Sequence, residues 1–436
     1  LEDAKAVQDL LVEAPAGVYR TWETAIREHC PDEFQERALI HTWQSGAGVM
    51  DKNRLQKFLS TNDPCRPRIL LMNVEAHSRA GEAREVAQIF LNNPARTNMM
   101  AIDESTIVKN PSAKRTKFIN GKLAKLVVWK RILCGLATPR SPLDLFSQFE
   151  FLNWEILGFR SYYAFRARYA VMKPMWFGGR KVAVVEGYQH QEELQALIAP
   201  HSFRVEFRPK IPSTYTIREV TLTPQQQKAY DEIKAFATTE IAAGAHVSPT
   251  VVITQILRLH QILCGHVKDD MGSEHALPEN KTKELLELLE EYHGKAVIWC
   301  SYDADIQKLT AALENEYGTG CVARFWGGNK NTREDEEKRF LLFSSSCRFM
   351  LATPSAGGRG RTWTVADLVV YYSSTNNLEH RDQSEQRVQG EEKNRPVDYV
   401  DLIAPGTVET KILEALRAKI NMAAVINGDT WRQWLI

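Results

Sequence analysis

Paired cysteines are missing. The seven present (Cys30, Cys65, Cys134, Cys264, Cys300, Cys321, Cys347) are odd in number, scattered and never spaced C-x-x-C, which argues against a disulfide framework or a cysteine zinc site. Long apolar runs are missing too: no stretch approaches the roughly 18 residues that read as a membrane span. The first residues, Leu1-Glu2-Asp3, form neither a basic signal region nor an initiator Met, so a soluble chain in a reducing cytosol is expected, with its true start absent. No sign of charge dominates, since Lys and Arg number 55 against 54 Asp and Glu. Affinity for a polyanion must therefore come from local patches. What remains is ordinary globular composition, 44% hydrophobic and 25% charged over 436 residues. At about 150 residues per domain, at least two cores are expected.

Short apolar runs alternate with helical patterns, as buried parallel strands do. The first series is Asp9 to Pro15, Arg68 to Asn73, Asn98 to Glu104 and Arg131 to Gly135. The second is Lys295 to Ser301, Arg348 to Thr353, Leu368 to Tyr372 and Asp398 to Ile403. Two α/β lobes are implied. Between Ser147 and Glu279 helical signals dominate, for example Pro224 to Ala237 and Thr250 to Cys264, with a junction near Pro209 to Thr221. Thr407 to Asn421 reads as a last helix.

Asp103-Glu104 ends the run Met99 to Ile102, which puts two carboxylates at the C-terminal edge of a parallel sheet, where ligands bind in open α/β folds. Phosphoryl transfer needs such a pair, one acid for Mg²⁺ and one for the attacking water. Alone, Asp-Glu there is usually a solvated turn. Here it opens Asp103 to Asn110, followed by Leu133-Cys134-Gly135-Leu136-Ala137-Thr138-Pro139, by Ala356-Gly357-Gly358-Arg359-Gly360-Arg361 and by Gln383-Ser384-Glu385-Gln386-Arg387. In these blocks, with Ile256 to Leu259 and Ala404 to Glu409, nearly the whole chain resembles the Swi/Snf-like branch of superfamily 2 helicases, particularly compact bacteriophage and mobile-element versions.

The resemblance implies two RecA-like parallel-sheet lobes with helical insertions around their junction. Lobe 1 is expected over residues 1–212, with an insertion from about 147, and lobe 2 over 213–436, with an insertion to about 279. It also implies ATP and Mg²⁺ as cofactors, duplex or branched DNA as partner, and a cytoplasmic location, in the bacterial host if phage-encoded. Asp103 resembles the Mg²⁺ ligand and Glu104 the water-activating acid of motif II. Pro15, Ala16, Gly17 and Trp22 look like motif Ia, Asn73 like motif Ib and Ser301 like motif IV, all facing nucleic acid in relatives. Gly358, Arg359 and Gly360 resemble motif V, and Gln383 and Arg387 motif VI, whose arginine reaches the γ-phosphate when the lobes close.

Three departures stand beside these matches. No G-x-x-x-x-G-K-[ST] loop is present; Gly121-Lys122 and Gly294-Lys295 are the only Gly-Lys pairs. A truncated N-terminus is the expected reason. Motif III, usually Thr-Gly-Thr, reads Cys134-Gly135-Leu136, and the usual second arginine of motif VI is replaced by Gly390. A partner protein supplying the missing elements is one implication, and a catalytically silent, helicase-like binding protein is the rival reading.

From Ser105 to Arg140 there are Lys109, Lys114, Arg115, Lys117, Lys122, Lys125, Lys130, Arg131 and Arg140, with no Asp or Glu. That is a local anion-binding surface, with Lys109 and Arg115 as the expected phosphate contacts, whereas Lys122 and Lys125 read equally well as a solvated helix face. A second acid-free stretch, Phe159 to Val185, mixes Arg166 and Arg168 with Tyr162, Tyr163 and Tyr169. Cations beside rings suit a nucleic-acid groove, although aromatics at helical spacing usually pack in a core. Gly46-Ala47-Gly48 reads as a turn, and Cys264 with His260 and His266 as core residues and not a metal site.

Overall fold

The computed structural model describes residues 7–135, 137–138, 141–177, 180–203, 211–242, 249–268, 274–358, 362–375, 377–390 and 393–418. It divides into two compact units, residues 1–171 with 187–204, and residues 172–186 with 205–436.

The first unit is built on five strands: β1 (Asp9–Ala14), β2 (Leu39–Thr42), β3 (Arg68–Asn73), β4 (Asn98–Ile102) and β5 (Trp129–Ile132). Their order is β2-β3-β1-β4-β5, and every pairing is parallel. Side chains alternate across the sheet. Leu11, Leu70, Met72, Met100 and Ile102 fill one apolar core, while Val12, Ala14, Ile69 and Leu71 fill another. Each fully buried Leu or Val contributes about 1.5–3 kcal/mol. The strand starts are tied by a buried knot. Asp9 accepts from Arg68 Nε and Nη2, at 2.9 and 2.6 Å, and from Arg96 Nε at 2.7 Å.

A hairpin of β6 (Ala170–Phe177) and β7 (Arg180–Tyr188) follows. The region between the two strand series does contain the expected helices, Pro224–Ala242 and Pro249–Leu263. The hairpin and β8 (Thr214–Glu219) were not expected within it. A short antiparallel pair, β9 (His266–Lys268) with β10 (Glu274–Ala276), comes next.

The second unit carries β8 together with β11 (Ala296–Trp299), β12 (Val322–Phe325), β13 (Phe349–Ala352), β14 (Leu368–Tyr371) and β15 (Asp398–Ile403). The order is β12-β13-β11-β14-β15-β8, again all parallel. Ala296 and Ile298 face one core, Val297 and Trp299 the other. A third core joins Ile256, Leu259 and Leu263 to Ile412 and Leu416 of the last described helix, Val408–Arg417. The expected class, parallel-sheet α/β lobes with helices inserted between them, is what the chain adopts. Among the described residues no helix is long and apolar enough to cross a membrane.

Candidate functional site

The end of β4 extends its ladder by one bond, Asp103 N–H to the Glu13 carbonyl at 2.8 Å, and then turns. The turn is forced at Glu104, whose φ of 50° and ψ of 54° are left-handed. A side chain other than Gly, Asn or Asp is costly there, by about 1–2 kcal/mol, and such strain gathers at functional sites. Asp103 is half-buried and fixed from two directions. Its Oδ1 accepts the Glu104 N–H at 2.9 Å and its Oδ2 accepts the Trp22 indole N–H at 2.9 Å. Behind the pair, Ser105 Oγ donates to Gln148 Oε1 at 2.6 Å, and Gln148 donates to the Ala137 and Asp144 carbonyls at 2.8 Å each. The fully buried Gln148 thus ties the acid turn to the segment after β5. A second buried pair, His77 Nε2 and Glu13 Oε1 at 2.7 Å, supports the strand carrying Ala14 and Pro15. Neither Gln148 nor the Glu13–His77 pair was singled out in the sequence, where nothing marks them.

The loop after β1 and the turn after β3 are joined. Ala16 N–H donates to Glu75 Oε2 at 3.1 Å, and Glu75 N–H donates to Asn73 Oδ1 at 2.8 Å. Pro15 is buried, Ala16 exposed and Gly17 half-buried. Asn73 and Glu75 line a cavity of about 580 Å³ with Tyr19, Arg20, Trp43 and Arg79. Trp22 packs against the core that holds Ala14, Val18 and Tyr19, with its polar edge bonded to Asp103.

Lys109 closes the short turn Ser105–Val108, and Arg115 donates from Nε to the Ile107 carbonyl at 2.9 Å. Arg166 lies 5.3 Å from the centre of the Tyr163 ring. Arg168 differs from expectation in its surroundings: it forms a two-pronged ion pair with Glu193, which also accepts from the Tyr169 hydroxyl at 3.0 Å. Its charge has a partner brought from a distant helix, which a stretch free of acids cannot reveal.

In the second unit, Ser301 N–H donates to Ser373 Oγ at 2.7 Å and Ser301 Oγ to the Ser373 carbonyl at 2.9 Å. Ser373 Oγ in turn donates to the buried Asp305 Oδ2 at 2.7 Å. Burial pushes the Asp305 carboxyl up to about 7, against opposing pulls from Lys308, Ser373 and Lys281. Gln383 lies on the helix Leu378–Glu385 and is mostly buried; Arg387 follows it, donating from Nε to the Gln383 carbonyl at 2.9 Å. The helix is anchored by Arg381, which pairs with Asp401 through two bonds of 2.6 and 3.0 Å and lies 3.4 Å over the Tyr371 ring. A Cβ on Gly358 would meet the Pro354 carbonyl oxygen at 2.3 Å, so only glycine fits there. Arg359 and Gly360 lie outside the described residues. A Cβ on Gly390 would meet the Thr364 methyl at 2.8 Å, leaving little room for a side chain.

Lys295, of the second Gly-Lys pair, is enclosed and donates to the Phe340, Leu342 and Cys347 carbonyls at 2.6 to 2.9 Å, a structural role with no access to phosphate. His260, Cys264 and Glu409 bring donor atoms within 4.8 Å of one another. The Lys281 ammonium already bonds Glu409, holding that carboxyl down at about 2 against burial, while burial raises the Cys264 thiol well above its usual range. A thiol so disposed is a poor metal ligand, and the local cation is the lysine.

Two α/β units, each built on an all-parallel sheet, one turning Asp-Glu off an interior strand and the other presenting a Gln-Arg segment beside its sheet, define a two-lobed helicase-type protein. The chain belongs to the SNF2-related family, the Swi/Snf-like branch of superfamily 2: residues 2–268 match the SNF2-related domain and residues 280–389 the helicase conserved C-terminal domain. It is 23% identical over 382 residues to the TATA-binding protein-associated factor mot1 of Aspergillus fumigatus, which spans 77% of this chain and 20% of mot1. An uncharacterized ATP-dependent helicase of Mycoplasma genitalium is 22% identical over 432 residues, 96% of this chain and 37% of the relative. The chain thus spans well under half the length of these relatives. Among solved structures, the Sulfolobus solfataricus SWI2/SNF2 ATPase core in complex with dsDNA is 20% identical with a TM-score of 0.40, covering 99% of this chain and 85% of that one. The C-terminal part of the Fun30 ATPase domain is 15% identical with a TM-score of 0.42, covering 52% and 99%.

Proposed function

We propose that this chain is the core of an ATP-driven DNA translocase that grips duplex or branched DNA by its backbone. The observation that carries the reading is the Asp103-Glu104 turn, a strained, left-handed acid pair at the end of a parallel strand, braced by Trp22 and Gln148. Its donor set suits Mg²⁺, a hard cation that takes carboxylate oxygens: Asp103 would hold the ion and Glu104 would orient the water. Bound Mg²⁺ with ATP supplies charge neutralisation and the transferable phosphoryl group. Residues 1–212 and 213–436 act as the two lobes in this reading, with Gly358, Gly360 and Gln383 toward nucleotide and Arg387 supplying its guanidinium on closure. Pro15, Ala16, Gly17, Asn73, Lys109, Arg115, Ser301, Arg359 and Arg166 hold DNA phosphates. Binding is then insensitive to sequence and weakens steeply with salt.

The hydrolysis in this reading needs a phosphate-binding loop, which these 436 residues do not contain. Among the described residues β5, beside the acid-bearing β4, pairs with no strand on its other edge, and Trp129 with the flanking Val128 and Leu133 is exposed. A catalytically silent binding protein is the second reading, favoured by the tight packing at Gly390, where relatives carry an arginine. Nucleic-acid-stimulated phosphate release by the full-length gene product, with Glu104→Gln as comparison, separates the two. Stimulated release that the substitution abolishes is expected. Equal release by both proteins removes Glu104 from the reaction, and no release by either leaves the silent reading standing.

A further inference from the structure

The two acid-free stretches of the sequence meet in the fold. The helix Lys114–Gly121 carries Lys117, the helix Tyr162–Tyr169 carries Tyr162, Tyr163 and Arg166, and Arg160 precedes it. All five line one open groove of about 630 Å³, which Asn110 also lines. Asn110 belongs to the loop that leaves the turn Ser105–Val108, directly after the acid pair.

The charges of this groove have no internal purpose. Among the described residues, Lys117, Arg160 and Arg166 pair with no carboxylate, in contrast to Arg168 on the same helix, which Glu193 holds. The one acid on the wall, Glu150, already accepts from Asn120 Nδ2 at 2.8 Å. Arg160 lies 4.0 Å from the centre of the Trp154 ring and Arg166 5.3 Å from that of Tyr163, so both guanidinium planes are steadied by aromatic faces. Tyr163 is 71% exposed although Tyr162, beside it, packs edge-on against Phe146. An exposed ring flanked by cations has nothing to do in the core, and it is what a base or sugar stacks upon.

We infer that this groove is a nucleic-acid strand site, in which Lys117, Arg160 and Arg166 hold successive phosphates and Tyr163 receives a base or sugar face. The inference rests on the DNA-binding reading above and adds Lys117, Arg160 and Tyr163 to it. An acidic peptide would use the cations and leave the ring idle, which is why nucleic acid is the occupant favoured.

The test is the salt dependence of oligonucleotide binding by the full chain, single-stranded and duplex, followed by fluorescence anisotropy. Lys117→Gln and Arg160→Gln are each expected to lower the slope of log K against log salt by about 0.7–0.9, one phosphate contact. Lys122→Gln is the control, since Lys122 is exposed on the same segment but does not line the groove. It should leave the slope unchanged. Tyr163→Ala should weaken binding about tenfold at every salt concentration without changing the slope, and Tyr163→Phe should restore it. If wild-type protein binds no nucleic acid, the DNA-binding reading itself is overturned. If it binds and the groove substitutions behave like Lys122→Gln, the groove alone is overturned. Polyglutamate competing as well as DNA, with the same dependence on Lys117, assigns the groove to an acidic protein partner and overturns the inference.

Discussion

The Trp22 indole N–H donates to Asp103 Oδ2 across 2.9 Å, joining the loop after β1 to the acid turn after β4. A residue placed by family resemblance on the DNA side thus orients the proposed Mg²⁺ ligand, so a shift of one loop is felt by the other. Trp22→Phe keeps the ring and removes the donor. A bond to a charged group is worth about 1.5–3 kcal/mol, so the stimulated rate of phosphate release should fall by about ten- to a hundredfold with DNA affinity unchanged. Loss of affinity with an unchanged rate would place Trp22 on the DNA instead.

Glu104 adopts a backbone conformation that glycine accepts freely. Glu104→Gly should therefore raise stability by about 0.5–1 kcal/mol, read as a higher urea midpoint, while abolishing hydrolysis. A destabilised variant would mean that the Glu104 side chain, and not its backbone, holds the turn together.

The strands legible in the sequence were those in the interior of the two sheets: β3, β4, β11, β13 and β14 read as apolar runs, and β1 and β15 as apolar runs each interrupted by one acid, Glu13 and Asp401. Those missed or misplaced lie at sheet edges. β2 is half-exposed throughout, β8 is mostly exposed, and β12 is interrupted by the half-buried Arg324. β5 begins at Trp129, ahead of the expected Arg131, because its exposed Trp129 and Arg131 hide the apolar pattern. An edge strand buries too little to write a run into the chain. The proposed acid pair could be singled out because its two carboxylates are neighbours in the sequence at the end of an apolar run. Its supports, Gln148 and the Glu13–His77 pair, act across long stretches of chain, and no local pattern announces them.

Burial raises the Asp305 carboxyl from an ordinary 3.8 to about 7, while Ser373, Lys308 and Lys281 favour the charged form and Glu279 opposes it. The folded protein then keeps a proton that the unfolded chain releases, so this group's contribution to stability falls as pH rises from about 4 to about 7. A slope on the order of 1 kcal/mol per pH unit is the upper range for one group. Asp305→Asn should flatten the urea-midpoint profile across that window. A profile as steep as wild type would show that another group titrates.

Gly390→Arg, which restores the residue usual in relatives, should fail as a gain of function. The new Cβ meets the Thr364 methyl at 2.8 Å, and overpacking of this kind costs about 1–3 kcal/mol. Thr364→Ser removes that methyl, and the double variant should recover the lost thermal stability. If Gly390→Arg alone is as stable as wild type, the loop has room that the packing does not suggest.

β8 pairs with β15, Thr214 beside Asp398 and Glu219 beside Ile403. As a ribosome delivers this chain, the strand emerges first of this sheet and its one neighbour among the described residues last, so almost all of the second unit must be translated before the edge can be completed. Its largely polar, exposed surface suits that interval, because a greasy strand left waiting would invite aggregation of half-made chains.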